Sequence, residues 1–204
     1  MNDILKHITE NALNDYKITL LPHHDLAEKI ATAREGFNEK FKPEMPIRSH
    51  PELALVTWKQ SIFSEKKILA KLKTLAMAFP PFKVEIKDFA SAPSHSIYLN
   101  VTSRVPLEML SKKIRQETQG LMKVDGDIKP HFLNDFNITL ARKLKPWQYE
   151  EGWLEYSHRH FTAKFIAERI LISKKTHGEM YYKPIESFQF ENMPIDTTQG
   201  ELFA

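Results

Sequence analysis

The chain has 204 residues, 42% of them hydrophobic, which is enough for one compact domain or two small lobes that share a core. Its net charge of +3 is far below the basic surplus of a dedicated nucleic-acid-coating protein, and with no cysteine it has neither a disulfide framework nor a thiolate metal site. No apolar run reaches a membrane-spanning length, and none follows a basic N-terminal segment, so we expect a soluble, cytoplasmic protein with no membrane partner.

Short predicted strands alternate with predicted helices along the chain. Strands, several with period-two alternation of apolar residues, are predicted at 17–21, 53–58, 82–89, 97–101, 138–144, 165–173 and 181–190. Apolar residues that share one helical face predict helices within residues 26–41, 68–79 and 107–121. Because neighbouring strands are hairpin-like, this order favours an α+β fold over a doubly wound parallel sheet.

Two segments lack this regular rhythm. Residues 145–160 carry two of the three tryptophans, Trp147 and Trp153, between two predicted strands, and we expect a loop that packs over a neighbouring surface. Residues 192–204 have little periodicity and are expected to form a mobile tail. The sequence therefore predicts a single domain over residues 1–191, followed by this tail.

The most informative stretch is Asn137-Ile138-Thr139-Leu140-Ala141-Arg142, which lies in a predicted strand. It matches the pattern His-x-Thr-Leu-Ala-Arg except at Asn137, which replaces the histidine. In a strand the first and third side chains of this pattern point the same way. Glu52-Leu53-Ala54-Leu55-Val56 occupies the equivalent place in an earlier strand and helix set, which indicates a faint internal duplication.

These stretches and the order of elements around them resemble the two-histidine phosphoesterases, the superfamily of 2′-5′ RNA ligase-like proteins and RNA 2′,3′-cyclic phosphodiesterases. The resemblance extends from Tyr16 to Phe190 and implies a bilobal fold, with two similar lobes around a central cleft. It also implies which side chains line that cleft. Where the family has two histidines and two threonines, this chain has Glu52, Ala54, Asn137 and Thr139, so three of the four defining residues are replaced.

The family's histidines supply proton transfer. Opening a 2′,3′-cyclic phosphate needs one group to deprotonate water and another to protonate the leaving oxygen. Asn137 cannot transfer a proton near neutral pH, but its amide, the Thr139 hydroxyl and the Arg142 guanidinium are candidate phosphate ligands. Glu52 would repel an anion unless it serves as a base or points elsewhere.

Two other histidines are candidate substitutes for the missing catalytic pair. His50 directly precedes the first motif strand, and His131 follows Lys129-Pro130, which resembles the residues that precede the family's second motif. For both, an exposed loop histidine is the simpler interpretation. No metal site is predicted, because His158 and His160, which alternate as strand residues could, are a weak metal signal without a nearby carboxylate or third histidine. No cofactor is expected.

Three hypotheses for the function follow. The leading one is a degenerate family member that binds a nucleotide, an RNA end or another small anion in the cleft without family-type hydrolysis. The second is an active phosphodiesterase on 2′,3′-cyclic phosphates that uses His50 or His131. The third is a protein-interaction module with a vestigial cleft.

The tail suggests one further partner. Gln199-Gly200-Glu201-Leu202-Phe203 resembles the Gln-x-x-Leu-Phe peptides that dock on bacterial sliding clamps. A free segment anchored by two hydrophobic side chains is a workable mode of recognition. We therefore predict docking on a clamp through Gln199, Leu202 and Phe203.

Overall fold

The structure is a computed structural model that describes residues 13–93, 95–124 and 128–194. Its strands form two antiparallel sheets, one of five strands and one of four, and helices pack on each sheet. The prediction of a bilobal α+β fold is confirmed.

The first lobe consists of the five-stranded sheet and two helices. Its strands are arranged in the order β5 (His131–Phe132), β2 (Leu53–Gln60), β1 (Asn14–Leu20), β8 (Arg169–Lys175) and β9 (Lys183–Gln189). Helix α2 (Ile62–Ala78) packs on β9 and on α3 (Arg104–Met122), which in turn contacts β2. Each helix buries one mainly apolar face, which in α3 also includes Ser111 and Thr118.

The second lobe has the four-stranded sheet, in the order β6 (Asn137–Arg142), β4 (Ser96–Val101), β3 (Phe82–Ala92) and β7 (Thr162–Ala167). Helix α1 (His24–Phe41) contacts β6, and α4 (Pro146–Tyr156) contacts β4 and α1. His23 caps the start of α1, since its ring Nδ1 accepts a hydrogen bond from the backbone N–H of Leu26 at 3.2 Å.

The hydrophobic core is continuous between the lobes. Its main cluster combines buried side chains from both sheets with apolar residues of α1, α2 and α3. A smaller cluster lies beneath α4 and includes Phe37, Phe41, Ile97, Leu140 and Tyr156. The two lobes therefore share one hydrophobic core.

The prediction of a loop at residues 145–160 is wrong, because Pro146–Tyr156 forms α4. The helix begins with a proline near its first turn, where the missing N–H costs nothing. Its buried positions are Gln148, Gly152 and Tyr156, at intervals of four residues. This face carries one polar residue and one glycine, so it has no apolar stripe from which the helix could be predicted.

The prediction of one strand at residues 165–173 is also wrong. The segment forms two strands, since β7 pairs with β3 in one sheet and β8 pairs with β1 in the other. The two strands are separated by Glu168, whose backbone oxygen accepts a hydrogen bond from the N–H of Phe190 at 2.7 Å. Alternation of side chains indicates a strand but does not indicate its pairing partner, so the sequence gives no sign of this change of sheet.

No helix in the described ranges is both long enough and apolar enough to cross a membrane. Of the predicted tail, only residues 192–194 are described, so the clamp-docking residues Gln199, Leu202 and Phe203 lie outside the described residues. That docking stays a prediction.

Gly152 should be intolerant of a side chain. A Cβ atom at this position would lie 2.8 Å from Phe37 Cε2 and 3.3 Å from Ile97 Cδ1, whereas one at Gly36 would meet nothing within 4 Å. Both glycines are helical, so the gain in helix propensity on substitution by alanine is shared. Overpacking costs about 1–3 kcal/mol, and we expect Gly152→Ala to be less stable than Gly36→Ala by that amount in urea denaturation. Equal stability of the two variants would contradict the close packing of α4 on α1.

Candidate binding cleft

The two motif strands approach each other across the boundary between the lobes. Cα atoms of β2 and β6 come within 8 Å of one another. Both strands carry a one-residue bulge at the leucine of the motif. Leu55 is unpaired between Ala54, which pairs with Thr19, and Val56. Leu140 is likewise unpaired, because Tyr98 pairs with Thr139 and the next residue of β4, Ile97, pairs with Ala141.

The bulge in β6 decides the direction of Arg142. Without it, Arg142 would lie on the opposite face from Thr139, since side chains alternate along a strand. The extra residue of the bulge returns Arg142 to the same face as Thr139. The cross-strand partners of Asn137, Thr139 and Arg142 are all half-buried residues of β4. Ile138 and Ala141, by contrast, are buried in the core. The Arg142 guanidinium therefore extends from the same face of β6 as the motif side chains.

A buried arginine of α1 bridges the two motif segments. Arg34 is only 5% exposed, and its Nε and Nη2 donate to the backbone oxygen of Thr139 at 2.9 and 2.7 Å. Its Nη1 donates to the backbone oxygen of Ser49, just before the first motif, at 2.9 Å. Burial lowers the pKa of Arg34 to about 10, while the Glu52 carboxylate favours the charged form and Arg142 opposes it. Arg34 is thus charged at neutral pH and lies near motif residues of both lobes.

The carboxylate of Glu52 is paired with a lysine. Its Oε1 accepts a hydrogen bond from Lys17 Nζ in an ion pair whose side chains are 25% and 13% exposed. Lys17 Nζ lies 4.6 Å from the centre of the Tyr182 ring, and a second pair, Lys175 and Asp15 at 3.0 Å, contacts the same ring. Burial, together with Asp15 and Glu52, raises the pKa of Tyr182. The four charges in this part of the first lobe therefore balance.

The side chains at the other motif positions differ in the hydrogen bonds that they form. The Asn137 amide donates to the backbone oxygen of Asp135 at 3.1 Å, which leaves it one N–H. Among the described residues, the Thr139 hydroxyl makes no hydrogen bond. Ala54 carries only a methyl group and cannot form a hydrogen bond through its side chain. The buried hydroxyl of its cross-strand neighbour Thr19 also has no hydrogen-bond partner among the described residues.

The two candidate substitute histidines are both exposed. His50 is exposed, and its Nδ1 is 2.9 Å from the backbone oxygen of Pro51, so the ring is engaged locally. His131 is exposed in β5, opposite Thr57. Thr57 lies five positions after Glu52, which corresponds to about 15 Å along a strand. His131 is therefore displaced along the strand direction from Glu52 and is not its direct cross-strand neighbour.

Sequence analysis missed Arg34 and Lys17, which organise the cleft. Arg34 occupies the buried face of α1 between Ile30 and Phe37, so a charged residue within an apolar stripe was the available signal. The pairing of Lys17 with Glu52 joins residues 35 positions apart and has no signal in the sequence. In the described ranges, no cluster of three or more histidines and carboxylates is arranged to hold a metal ion.

Comparison with known proteins places the chain beside phosphoesterases. A model of the 2′-5′ RNA ligase superfamily matches residues 22–179. Escherichia coli LigT in its apo form is 14% identical, with a TM-score of 0.62 over 87% of this chain and 98% of LigT. The protein TT0787 of Thermus thermophilus is 14% identical, with a TM-score of 0.57 over 87% of this chain and 98% of its own. At this identity the likeness to both structures concerns the fold. No curated protein matches by sequence.

Replacing Arg34 should destabilise the fold. Arg34→Met leaves the backbone oxygens of Thr139 and Ser49 without their charged donor, and such hydrogen bonds contribute about 1.5–3 kcal/mol each. Arg48→Met is the matched control, since Arg48 is exposed and surface substitutions usually stay within about 0.5 kcal/mol. We expect urea denaturation to show a loss of at least about 2 kcal/mol for Arg34→Met alone. Equal losses in the two variants would contradict the bridging role.

Proposed function

We propose that this chain, which belongs to the 2′-5′ RNA ligase superfamily, binds the phosphate of a nucleotide or RNA end in its cleft without family-type hydrolysis. One observation carries the proposal. The two positions of the family's proton-transfer residues hold Glu52, paired with Lys17, and Asn137, which donates a hydrogen bond to a backbone oxygen. On the strand of Asn137, Arg142 forms no ion pair with any described residue.

Arg142 is the principal anion-binding candidate. It is exposed, it extends from the same face of β6 as Thr139, and within the described residues it forms no ion pair. A guanidinium and a hydroxyl on one face suit a phosphate, because both donate hydrogen bonds to its oxygens. The buried charge of Arg34 adds to the positive potential at this edge of the sheet.

E. coli LigT, which shares the fold, has been crystallised with 3′-AMP, with ATP and with phosphate. We therefore choose 3′-AMP and phosphate to test anion binding by this chain.

Hydrolysis is not expected from this arrangement. General acid and general base catalysis contribute about a hundred- to ten-thousand-fold each, and both require groups that exchange a proton near neutral pH. Asn137 has no such proton. Glu52 could act as a base only after release from Lys17, and it would still lack an acid on the opposite side of the phosphate.

The purified chain should therefore show no turnover of adenosine 2′,3′-cyclic phosphate or of 2′-5′-linked dinucleotides above the buffer rate. Chromatographic separation of substrate and product measures this directly. Turnover at the rate of an ordinary enzyme, abolished by His131→Ala or by His50→Ala, would contradict the proposal and would assign proton transfer to that histidine.

The combined variant Glu52→His, Ala54→Thr and Asn137→His should gain activity on the same cyclic phosphate. The reason is that the strands, their bulges and Thr139 are in place, so only proton-transfer groups and one hydroxyl are added. The matched control is the variant with Glu52→Gln, Ala54→Thr and Asn137→Gln, which changes the same positions without a titratable group. Equal inactivity of both variants would show that the cleft does not accept the family's substrate.

Binding should depend on Arg142. Arg142→Met is expected to weaken the affinity for 3′-AMP at least about tenfold in isothermal titration, since it removes a charge-assisted hydrogen bond worth about 1.5–3 kcal/mol. Arg169→Met removes an exposed arginine from the first lobe and should leave the affinity unchanged. Equal affinities in the two variants would exclude Arg142 from the site, and no binding of 3′-AMP or phosphate by the wild-type chain would overturn the proposal.

A further inference from the structure

A second cavity lies outside the cleft, between the two helices of the first lobe. Its volume is about 690 Å³, and we call it the helix groove. Ala70, Leu75 and Leu121 give the groove an apolar floor, and Lys67, Lys71, Lys113, Thr74 and Glu117 surround it. The groove therefore suits a ligand that combines apolar and acidic groups.

The positive charge of the chain is concentrated on this pair of helices. Together α2 and α3 carry eight basic residues and three acidic ones, a net charge of +5, although the whole chain has a net charge of only +3. The one carboxylate of α2, Glu65, is not available on the outer surface, since it accepts hydrogen bonds from Tyr16 and Lys174 at 2.8 Å. Glu117 forms only a long pair of 3.7 Å with Lys71. The groove thus lies in a basic surface.

The described chain ends beside this surface. After β9, the N–H of Asn192 donates to the backbone oxygen of Phe79 at 3.2 Å, and the N–H of Met193 donates to that of Met77 at 2.9 Å. Asn192 and Met193 therefore lie beside the C-terminal end of α2. From Met77 to Lys67 the helix measures about 15 Å, whereas ten residues can span about 33 Å. Residues 195–204 are long enough to reach every part of the groove.

The composition of that segment matches the groove. Residues 195–204 contain Asp196 and Glu201 but no basic residue, and they end with the apolar pair Leu202 and Phe203 before Ala204. We propose that residues 195–204 dock in the helix groove, with Leu202 and Phe203 on the apolar floor and the two carboxylates beside Lys67, Lys71 and Lys113.

Peptide binding in trans tests the proposal. The chain is shortened after Pro194, its fold is checked by circular dichroism, and a fluorescein-labelled peptide of residues 195–204 is titrated by anisotropy. The shortened chain should bind the peptide. The full chain should bind it at least about tenfold more weakly, because a tethered segment competes at millimolar effective concentration. Raising the salt from about 50 to about 500 mM should weaken binding, since exposed ion pairs are screened.

Substitutions locate the contact. In the shortened chain, Lys67→Glu with Lys71→Glu should abolish peptide binding, and a peptide with Leu202→Asp and Phe203→Asp should not bind. The control, Lys87→Glu with Lys164→Glu, makes the same charge change at exposed positions of the second lobe and should bind normally. Equal binding by the full and shortened chains, equal losses in both lysine variants, or no binding would overturn the proposal. Binding of poly(U) through Lys67 and Lys71 without binding of the peptide would instead make the groove a nucleic-acid surface.

Discussion

The contact of one buried guanidinium with two backbone oxygens holds the motif strands together. β6 is an edge strand, so its outward carbonyl groups have no partner within the sheet, and Arg34 satisfies that of Thr139. The same side chain bonds Ser49, next to the other motif. A buried charge is costly unless it is paired and hydrogen-bonded. Here the two carbonyl groups accept hydrogen bonds from Arg34, and the Glu52 carboxylate favours its charged form.

The cleft shows how a catalytic position can become part of an ion-pair network. An isolated glutamate in the place of a catalytic histidine would repel phosphate, but the charge of Glu52 is compensated by Lys17, and Lys17 is covered by the Tyr182 ring. The presence of Glu52 therefore does not exclude an anion from the cleft. The matching position of the second lobe holds the neutral Asn137. At the end of the same strand, Arg142 forms no ion pair with any described residue.

The sequence predicts the elements of this fold better than their partners. The motif strands could be found because local patterns, a His-x-Thr-Leu-like run and period-two alternation, specify them. Helix α4 could not, because its buried face consists of Gln148, Gly152 and Tyr156 rather than an apolar stripe. The direction of Arg142 depends on a bulge, and a bulge is defined by pairing with another strand. The Lys17–Glu52 pair and the bridging by Arg34 join distant positions, so a single sequence contains no local record of them.

The change of sheet at Glu168 bears on how the chain folds. Strands β7 and β8 are almost continuous in sequence but belong to different sheets, and β1 and β2 of one sheet are separated by a helix that packs on the other. Residues 13–124 and residues 128–194 each supply strands to both sheets. No cut in the chain yields an intact lobe. The lobes must therefore form together through many pairings of high sequence separation, which is typical of slow, cooperative folding, and the internal duplication does not correspond to two units that fold independently.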